Sequence, residues 1–162
     1  MGRLSGRYRH MLDDMINKSD FRSMCKVECD EVYPYSEGFA RVRRGDKFGF
    51  INDFGDLICD IIYDDARDFN NFIFDSCFYP YTKVRAAVKF NGKWGFIDEE
   101  GKPICEFKYD EVKDFHNDKA LVRIGDKWGI IGYLGSQVCD VVYDCIEPIV
   151  FSKKYCLHMY FK

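Results

Sequence analysis

Several features that mark particular protein classes are scarce in this sequence. The chain of 162 residues has 24 Lys and Arg against 27 Asp and Glu, a formal net charge of −3. A general nucleic-acid binder usually carries a basic excess. No apolar run approaches the about 18 residues of a membrane-spanning helix, and the N-terminus lacks the apolar core of a secretory signal. We therefore expect a cytoplasmic protein without direct nucleic-acid or membrane contacts.

Motifs that carry chemistry are also missing. The three histidines, His10, His116 and His158, lie in unrelated contexts. We find no Gly-rich phosphate loop and no nucleophile elbow. The 8 cysteines occur without a signal peptide, which favours reduced thiols over a disulfide framework. We expect no enzymatic activity and no cofactor.

Aromatic residues, by contrast, are abundant, and a segment recurs. The chain has 15 Phe and 11 Tyr but only 4 Pro, a composition that favours strands. One ten-residue pattern occurs three times, as KFGFINDFGD (47–56), KWGFIDEEGK (93–102) and KWGIIGYLGS (127–136).

The spacing of a second marker gives the period. Asp30, Asp64, Asp110 and Asp144 follow one another at intervals of 34, 46 and 34 residues. The period is therefore 34 residues, with a 12-residue insertion in the middle unit, in the segment 70–85. A fixed period of this size predicts a tandem repeat whose units bury their apolar faces against one another.

Each unit has the pattern of a β-meander. Two short strands flank a Gly- or Asn-containing pair typical of tight hairpins, and a second turn ends in glycine. A third strand follows, LICDIIYD, PICEFKYD or QVCDVVYD, and then a connector to the next unit. The predicted hairpin turns are Gly45-Asp46, Asn91-Gly92 and Gly125-Asp126.

An aromatic residue precedes a glycine in the second strand of each unit. The pairs are Phe48-Gly49, Trp94-Gly95 and Trp128-Gly129. A strand glycine leaves the backbone bare, and a neighbouring ring can cover it. We expect these rings to be structural.

This pattern, with N-G-K-W-G-F-I-D-x-x-G-K at its centre, resembles the WG-repeat family, also called KWG repeats, from roughly Cys29 to Val150. The resemblance implies an all-β tandem array that binds other macromolecules and has no enzymatic activity. The family carries no shared catalytic residues. Phe48 and Cys29 depart from the pattern, which favours Trp and Tyr there.

We predict an all-β fold, a tandem array of about 34-residue β-meander repeats with an N-terminal helical cap. The cap covers 1–28, and the repeat domain covers 29–162. Its units are 29–62, 63–108 with insertion 70–85, 109–142 and a partial unit at 143–162. The cap rests on an apolar helical stripe, consisting of Leu4, Tyr8, Met11, Leu12, Met15 and Ile16. The opposite face of that helix, with Arg3, Arg7 and His10, could instead contact an anionic partner.

The insertion is the first candidate binding site. Its aromatic residues are Phe72, Phe74, Phe78, Tyr79 and Tyr81. They could form an extra hairpin folded back on the array, or an exposed patch of the kind enriched in protein interfaces.

The recurring aspartates are the second candidate. Asp64, Asp110 and Asp144 could bond local backbone N–H groups in Asx turns, or form an acidic stripe for a basic partner. We predict a non-enzymatic protein-binding repeat module that uses the array surface and the insertion. The alternative is a dedicated protein inhibitor, such as an immunity protein or a phage-encoded antagonist of a nucleic-acid-binding defence enzyme.

The cysteines are a weaker candidate site, in this case for a metal ion. Cys59, Cys105 and Cys139 occupy equivalent positions, and stacked thiols could bind zinc. A buried cysteine also acts as a small apolar residue, and we favour that interpretation and predict no metal.

Overall fold

The computed structural model describes residues 25–73, 82–116 and 118–146. All regular elements within these ranges are antiparallel β-strands, which confirms the all-β prediction. The predicted helical cap lies outside the described residues, except for 25–28, which form no regular element. Over the described ranges there is no helix long and apolar enough to cross a membrane.

The first sheet has four strands in sequential order. Short turns join them, and Gly38, Gly45 and Gly55 have positive φ angles of 90°, 59° and 78°. Glycine adopts this conformation without the steric cost that other residues carry. The strands are β1 (Glu31–Ser36), β2 (Phe39–Arg44), β3 (Lys47–Asn52) and β4 (Leu57–Tyr63).

The last sheet repeats this arrangement. In it, β10 pairs with both β9 and β11, and β11 pairs with β12. The strands are β9 (Glu111–Val112), β10 (Lys119–Ile124), β11 (Lys127–Gly132) and β12 (Gln137–Tyr143).

The middle sheet differs from the other two in its strand order and in the segment that follows its last strand. Its strands are β5 (Asp65–Ala66), β6 (Asn70–Ile73), β7 (Thr82–Phe90) and β8 (Lys93–Ile97). The third strand that we predicted at 103–110 is wrong as a continuous strand, because only isolated bridges at Pro103 and Tyr109 connect it to β8. Proline has no N–H group for the ladder, and the chain leaves the sheet between the two bridges.

The first three predicted connectors each contain a strand. β1, β5 and β9 each open a unit, so that the first and third units have four strands. Each places a buried side chain opposite a buried valine, as in the pairs Val32↔Val42 and Ala66↔Val88. The sequence signal was weak because β5 and β9 have only two residues each.

The hydrophobic core lies between adjacent sheets. Phe50 of the first unit packs edge-on against Phe69 of the second, with ring centroids 5.0 Å apart. Phe96 of the second unit and Phe115 of the third repeat this contact at 4.8 Å. All four rings are at least 94% buried, with exposures of 0, 1, 1 and 6%. As predicted for a repeat array, each unit buries its apolar face on its neighbour.

Main-chain groups of adjacent units also approach each other closely. A Cβ atom added to Gly101 would lie 2.2 Å from the carbonyl oxygen of Ile58. At the next junction, a Cβ on Gly135 would lie 1.7 Å from the carbonyl oxygen of Ile104. These glycines end the second turns of their units, with φ angles of 75° and 79°. Each turn therefore rests directly on the last strand segment of the preceding unit.

Candidate binding surface

The glycines of the aromatic–glycine pairs lie against the strand segment that follows. The space beside each glycine is filled by a side chain of the following strand segment: Ile61 at Gly49, Phe107 at Gly95 and Val141 at Gly129. An added Cβ would lie 2.6–2.9 Å from these side chains. The glycines therefore allow close approach of the next strand.

The rings of Trp94 and Trp128 each lie beneath a cationic side chain. The Arg67 guanidinium lies 4.9 Å from the Trp94 ring, and Lys113 Nζ lies 5.8 Å from the Trp128 ring. Such contacts contribute about 0.5–1 kcal/mol at exposed sites. Trp94 is 9% exposed, whereas Trp128 is only half-buried. The two tryptophans therefore do not contribute equally to the core.

The repeated aspartates bridge one unit to the next. Lys47 Nζ lies 2.5 Å from Asp64 Oδ1, and the N–H of Gly92 donates to Asp64 Oδ2 at 2.8 Å. Asp64 follows β4, the last strand of the first sheet, whereas Gly92 lies in the hairpin turn between β7 and β8 of the second sheet. We call this arrangement the aspartate clamp. It recurs at Asp110 with Lys93 and Gly125.

The aspartate clamp contradicts the prediction of Asx turns and weakens the prediction of an acidic stripe. The backbone partners of Asp64 and Asp110 are 28 and 15 residues away, so the prediction of local Asx turns is wrong for them. The hydrogen bond from the lysine has the larger effect on the pKa of both carboxyls, followed by the one from the glycine N–H. Together they hold each pKa below its usual value. Each negative charge has a lysine beside it, which weakens an acidic stripe at these positions.

Asp144 differs from the other two aspartates. It pairs with Lys127 Nζ at 2.5 Å, and its side chain is 75% exposed, against 29% and 32% for Asp64 and Asp110. Among the described residues no backbone N–H donates to its carboxylate.

The base of the insertion is a hairpin. β6 pairs with the first half of β7 in four successive pairs, from Asn70↔Arg85 to Ile73↔Thr82. In the first unit the corresponding hairpin turns at Glu37-Gly38. Of the predicted aromatic site, Phe72 lies on β6. The remaining members lie outside the described residues, namely Phe74, Phe78, Tyr79 and Tyr81.

A buried arginine anchors this hairpin. Arg85 is 6% exposed, and its guanidinium donates to Glu99 Oε2 at 2.7 Å and to the carbonyl oxygen of Tyr133 at 3.1 Å. Partial burial alone would raise the pKa of Glu99, but hydrogen bonds from its own backbone and from Lys83, together with the charge of Arg85, lower it. The hairpin base is thus fixed to the third unit.

A polar groove of about 440 Å³ begins where the insertion leaves the array. Arg41 reaches across to the carbonyl oxygen of Ala66 and lies 3.5 Å from Asp68. Arg67 repeats this arrangement one unit later, with the carbonyl oxygen of Val112 at 3.0 Å and Asp114 at 3.3 Å. The groove is lined by Ser36, Arg41, Arg67, Asp68, Phe69, Asn70 and Asp114.

Sequence analysis missed this groove. Arg41 and Arg67 do not occupy equivalent positions in their units, so no repeat pattern connects them. Asp68 and Asp114 are equivalent, 46 residues apart like Asp64 and Asp110. That recurrence was the available signal.

The repeat geometry agrees with a comparison against protein families. The profile of the WG containing repeat matches residues 26–48, 48–71 and 94–128, which together make up half of the chain. The chain belongs to the WG-repeat family. No curated protein and no solved structure matches it. Membership identifies a β-repeat module.

The equivalent cysteines of the WG repeats lie beside the core. Burial raises the pKa of the Cys59 thiol to about 12 and also raises that of Cys105. A neutral thiol is a poor metal ligand and a poor nucleophile. Across the described residues no three potential ligand side chains are grouped to hold a metal ion.

Two turns of the WG repeats present large apolar side chains to solvent. Phe54 is 76% exposed and Leu134 is 67% exposed, at equivalent positions of the second turn. Val138, on β12, is 47% exposed. Single exposed apolar residues are common on protein surfaces, so Phe54 and Leu134 do not by themselves define an interface.

Proposed function

We propose that this protein is a non-enzymatic protein-binding module of the cytoplasm, in which the insertion hairpin makes the main contact. The observation that carries the proposal is the four-pair ladder of β6 and β7. Its last pair, Ile73↔Thr82, is joined in sequence by the segment 74–81, which includes Phe74, Phe78, Tyr79 and Tyr81. Loops that are supported in this way on a rigid scaffold commonly carry binding functions.

The surroundings of the hairpin support a protein partner. Asn70 both begins β6 and lines the polar groove. A partner that contacts the start of β6 can therefore also reach the arginines and aspartates of the groove. An aromatic centre beside a polar rim is the usual composition of a protein interface. Nucleic acid and membrane suit this surface less well, because the groove pairs each arginine with a carboxylate.

The structure defines a precise deletion to test the proposal. Because Ile73 and Thr82 are the last pair of the ladder, residues 74–81 can be replaced by Asn-Gly, which closes a two-residue hairpin. The control is Phe54→Ser, which removes an exposed aromatic residue at the second turn of the first unit. Intact protein and both variants would serve as baits in host lysate, with captured proteins identified by mass spectrometry and confirmed with purified partner.

We expect a single partner to bind the intact chain and the Phe54→Ser variant, and to be lost with the hairpin deletion. Melting curves must show that the deletion variant remains folded. Capture of the same partner by the deletion variant would overturn the role of the insertion. Turnover of a substrate by the purified chain alone would overturn the non-enzymatic assignment.

A dedicated inhibitor is the second candidate, and the same experiment distinguishes it. An inhibitor of a basic, nucleic-acid-binding enzyme would form a tight complex of fixed stoichiometry and abolish that enzyme's activity. The net charge of −3 is compatible with this role. The lysines beside Asp64 and Asp110 reduce the attraction that these two sites offer a basic partner. We therefore place the general binding module first.

A further inference from the structure

Two cysteine sulfur atoms are in contact beside the first sheet. Cys25 Sγ and Cys29 Sγ lie 3.6 Å apart, which exceeds the length of a disulfide bond by about 1.6 Å. The S–H group of Cys25 also donates to the carbonyl oxygen of Val27 at 3.4 Å. The two thiols therefore already face each other, and a small movement of one side chain brings their sulfur atoms to bonding distance.

Hydrogen bonds to the sheet hold the segment that carries both cysteines. The N–H of Lys26 donates to the carbonyl oxygen of Gly55 at 3.1 Å, and the N–H of Asp30 donates to that of Arg43 at 2.8 Å. Each of these anchors directly follows one of the two cysteines in the sequence. Because the segment is attached at both ends, the fold keeps the two sulfur atoms together.

The two thiols differ in their surroundings. Cys29 is 7% exposed and packs in the core of the first unit with Val32 and Val42. Cys25 is half-buried, belongs to no regular element and packs against the outside of the same cluster. A small molecule in solution therefore reaches Cys25 first, and Cys29 is a second thiol held in contact with it.

A disulfide is the chemistry that this pair favours over the alternatives. Zinc takes four ligands, whereas no group of three potential ligand side chains occurs among the described residues. The cysteines of the repeats are poorer candidates for exchange, because burial raises the pKa of Cys59 and Cys105 and the thiolate is the reactive form. Two adjacent thiols are sufficient for a disulfide.

We propose that Cys25 and Cys29 form a reversible disulfide by exchange with a small-molecule disulfide such as glutathione disulfide. The Cys25 thiolate attacks one sulfur of the oxidant, which gives a mixed disulfide and releases one glutathione. The Cys29 thiolate then attacks the Cys25 sulfur, forms the bond between the two cysteines and releases the second glutathione. The protein gives up two electrons and two protons, and the oxidant is reduced to two thiols. This site does not depend on the binding role of the insertion.

Trypsin provides a direct readout, because Lys26 lies between the two cysteines. Cleavage places them in separate peptides, SMCK (23–26) and VECDEVYPYSEGFAR (27–41), which stay together only through a disulfide. The reduced full-length chain is equilibrated in glutathione buffers, and its remaining thiols are alkylated. Monomer is then isolated to exclude links between chains, digested and measured by mass spectrometry. The same reaction in urea shows how the pair behaves when the fold does not hold it.

Two variants assign the roles of the thiols. Cys29→Ala removes the second thiol but keeps a small apolar side chain in the core, and melting curves check that it remains folded. Cys145→Ser is the matched control, because it removes an exposed thiol outside the pair. We expect the linked peptide in the wild-type chain and in Cys145→Ser. In Cys29→Ala, the mixed disulfide of Cys25 with glutathione should accumulate instead.

The comparison with urea decides the proposal without any variant. Since the fold holds the thiols together, the ratio of linked to reduced peptide should be at least about tenfold higher in the native chain than in urea. Equal ratios would overturn the proposal. Persistent glutathione on Cys25 of the native wild-type chain would do so too, as would oxidation of a different cysteine pair before this one.

Discussion

The glycine that docks each unit can be tested against a glycine of nearly identical conformation. Gly101 and Gly92 have φ angles of 75° and 78°, so alanine at either position bears the same left-handed strain of about 1–2 kcal/mol. They differ in their surroundings. A Cβ on Gly92 would have no atom within 4 Å, whereas one on Gly101 would lie 2.2 Å from the Ile58 carbonyl oxygen and 2.9 Å from Cys59 Cβ.

The difference between the two variants isolates the docking contact. To bring the Cβ to about 3 Å from the oxygen, the second unit must shift by about 0.8 Å, and such overpacking typically costs about 1–3 kcal/mol. We expect Gly92→Ala to lower the free energy of unfolding by about 1–2 kcal/mol and Gly101→Ala by about 2–5 kcal/mol. Urea denaturation of both variants measures this directly. Equal losses, within about 0.5 kcal/mol, would refute backbone docking as a stabilising contact.

Three further predictions concern single side chains. Trp94→Ala should lower the free energy of unfolding by about 3–5 kcal/mol because the ring is buried. Trp128→Ala should lower it distinctly less, because that side chain is only half-buried; an equal loss in urea denaturation would contradict the burial argument. The folded-state pKa of Asp110 is lowered, so its stabilisation is present above the usual carboxyl pKa of 3.8 and is lost as the pH falls through the folded value. Asp110→Asn should therefore lower the melting temperature at neutral pH, and this loss should diminish as the pH falls below 3.8; a loss that stays constant in acid would point to something other than the carboxylate charge. A thiol reagent at neutral pH should label the exposed Cys145 much faster than Cys59, whose burial raises its pKa to about 12, and labelling at similar rates would show that Cys59 is accessible.

Local chemistry predicted the turns well. Asn91-Gly92 forms a hairpin turn with φ angles of 50° and 78°, because both residue types tolerate this conformation. Asp98 opens a second turn, in which its carboxylate accepts the N–H groups of Glu100 and Lys102 at 3.0 and 2.9 Å. Such contacts lie within four residues, so the sequence contains both partners side by side.

Contacts between units were less accessible to sequence analysis. Asp64 suggested a local turn, but its backbone donor, Gly92, lies beyond the insertion. The 17-residue interval from Lys47 to Asp64 recurs from Lys93 to Asp110 and indicated a lysine partner. The groove was harder to predict, since Arg41 on β2 and Arg67 in the segment after β5 reach equivalent acceptors. Which donor reaches an acceptor depends on how the sheets stack, which residue spacing does not contain.

The contact of a turn glycine with a carbonyl oxygen has a consequence for how freely such arrays can vary. Both partners in that contact are main-chain groups, so the contact requires a glycine at one position and leaves the residues beside it in the turn unspecified. Phe54, Glu100 and Leu134 precede the docking glycines at equivalent positions, yet one is aromatic, one acidic and one aliphatic. The residues beside each docking glycine can therefore change chemical character from unit to unit without altering the assembly. A scaffold of this kind separates what holds the units together from what they display.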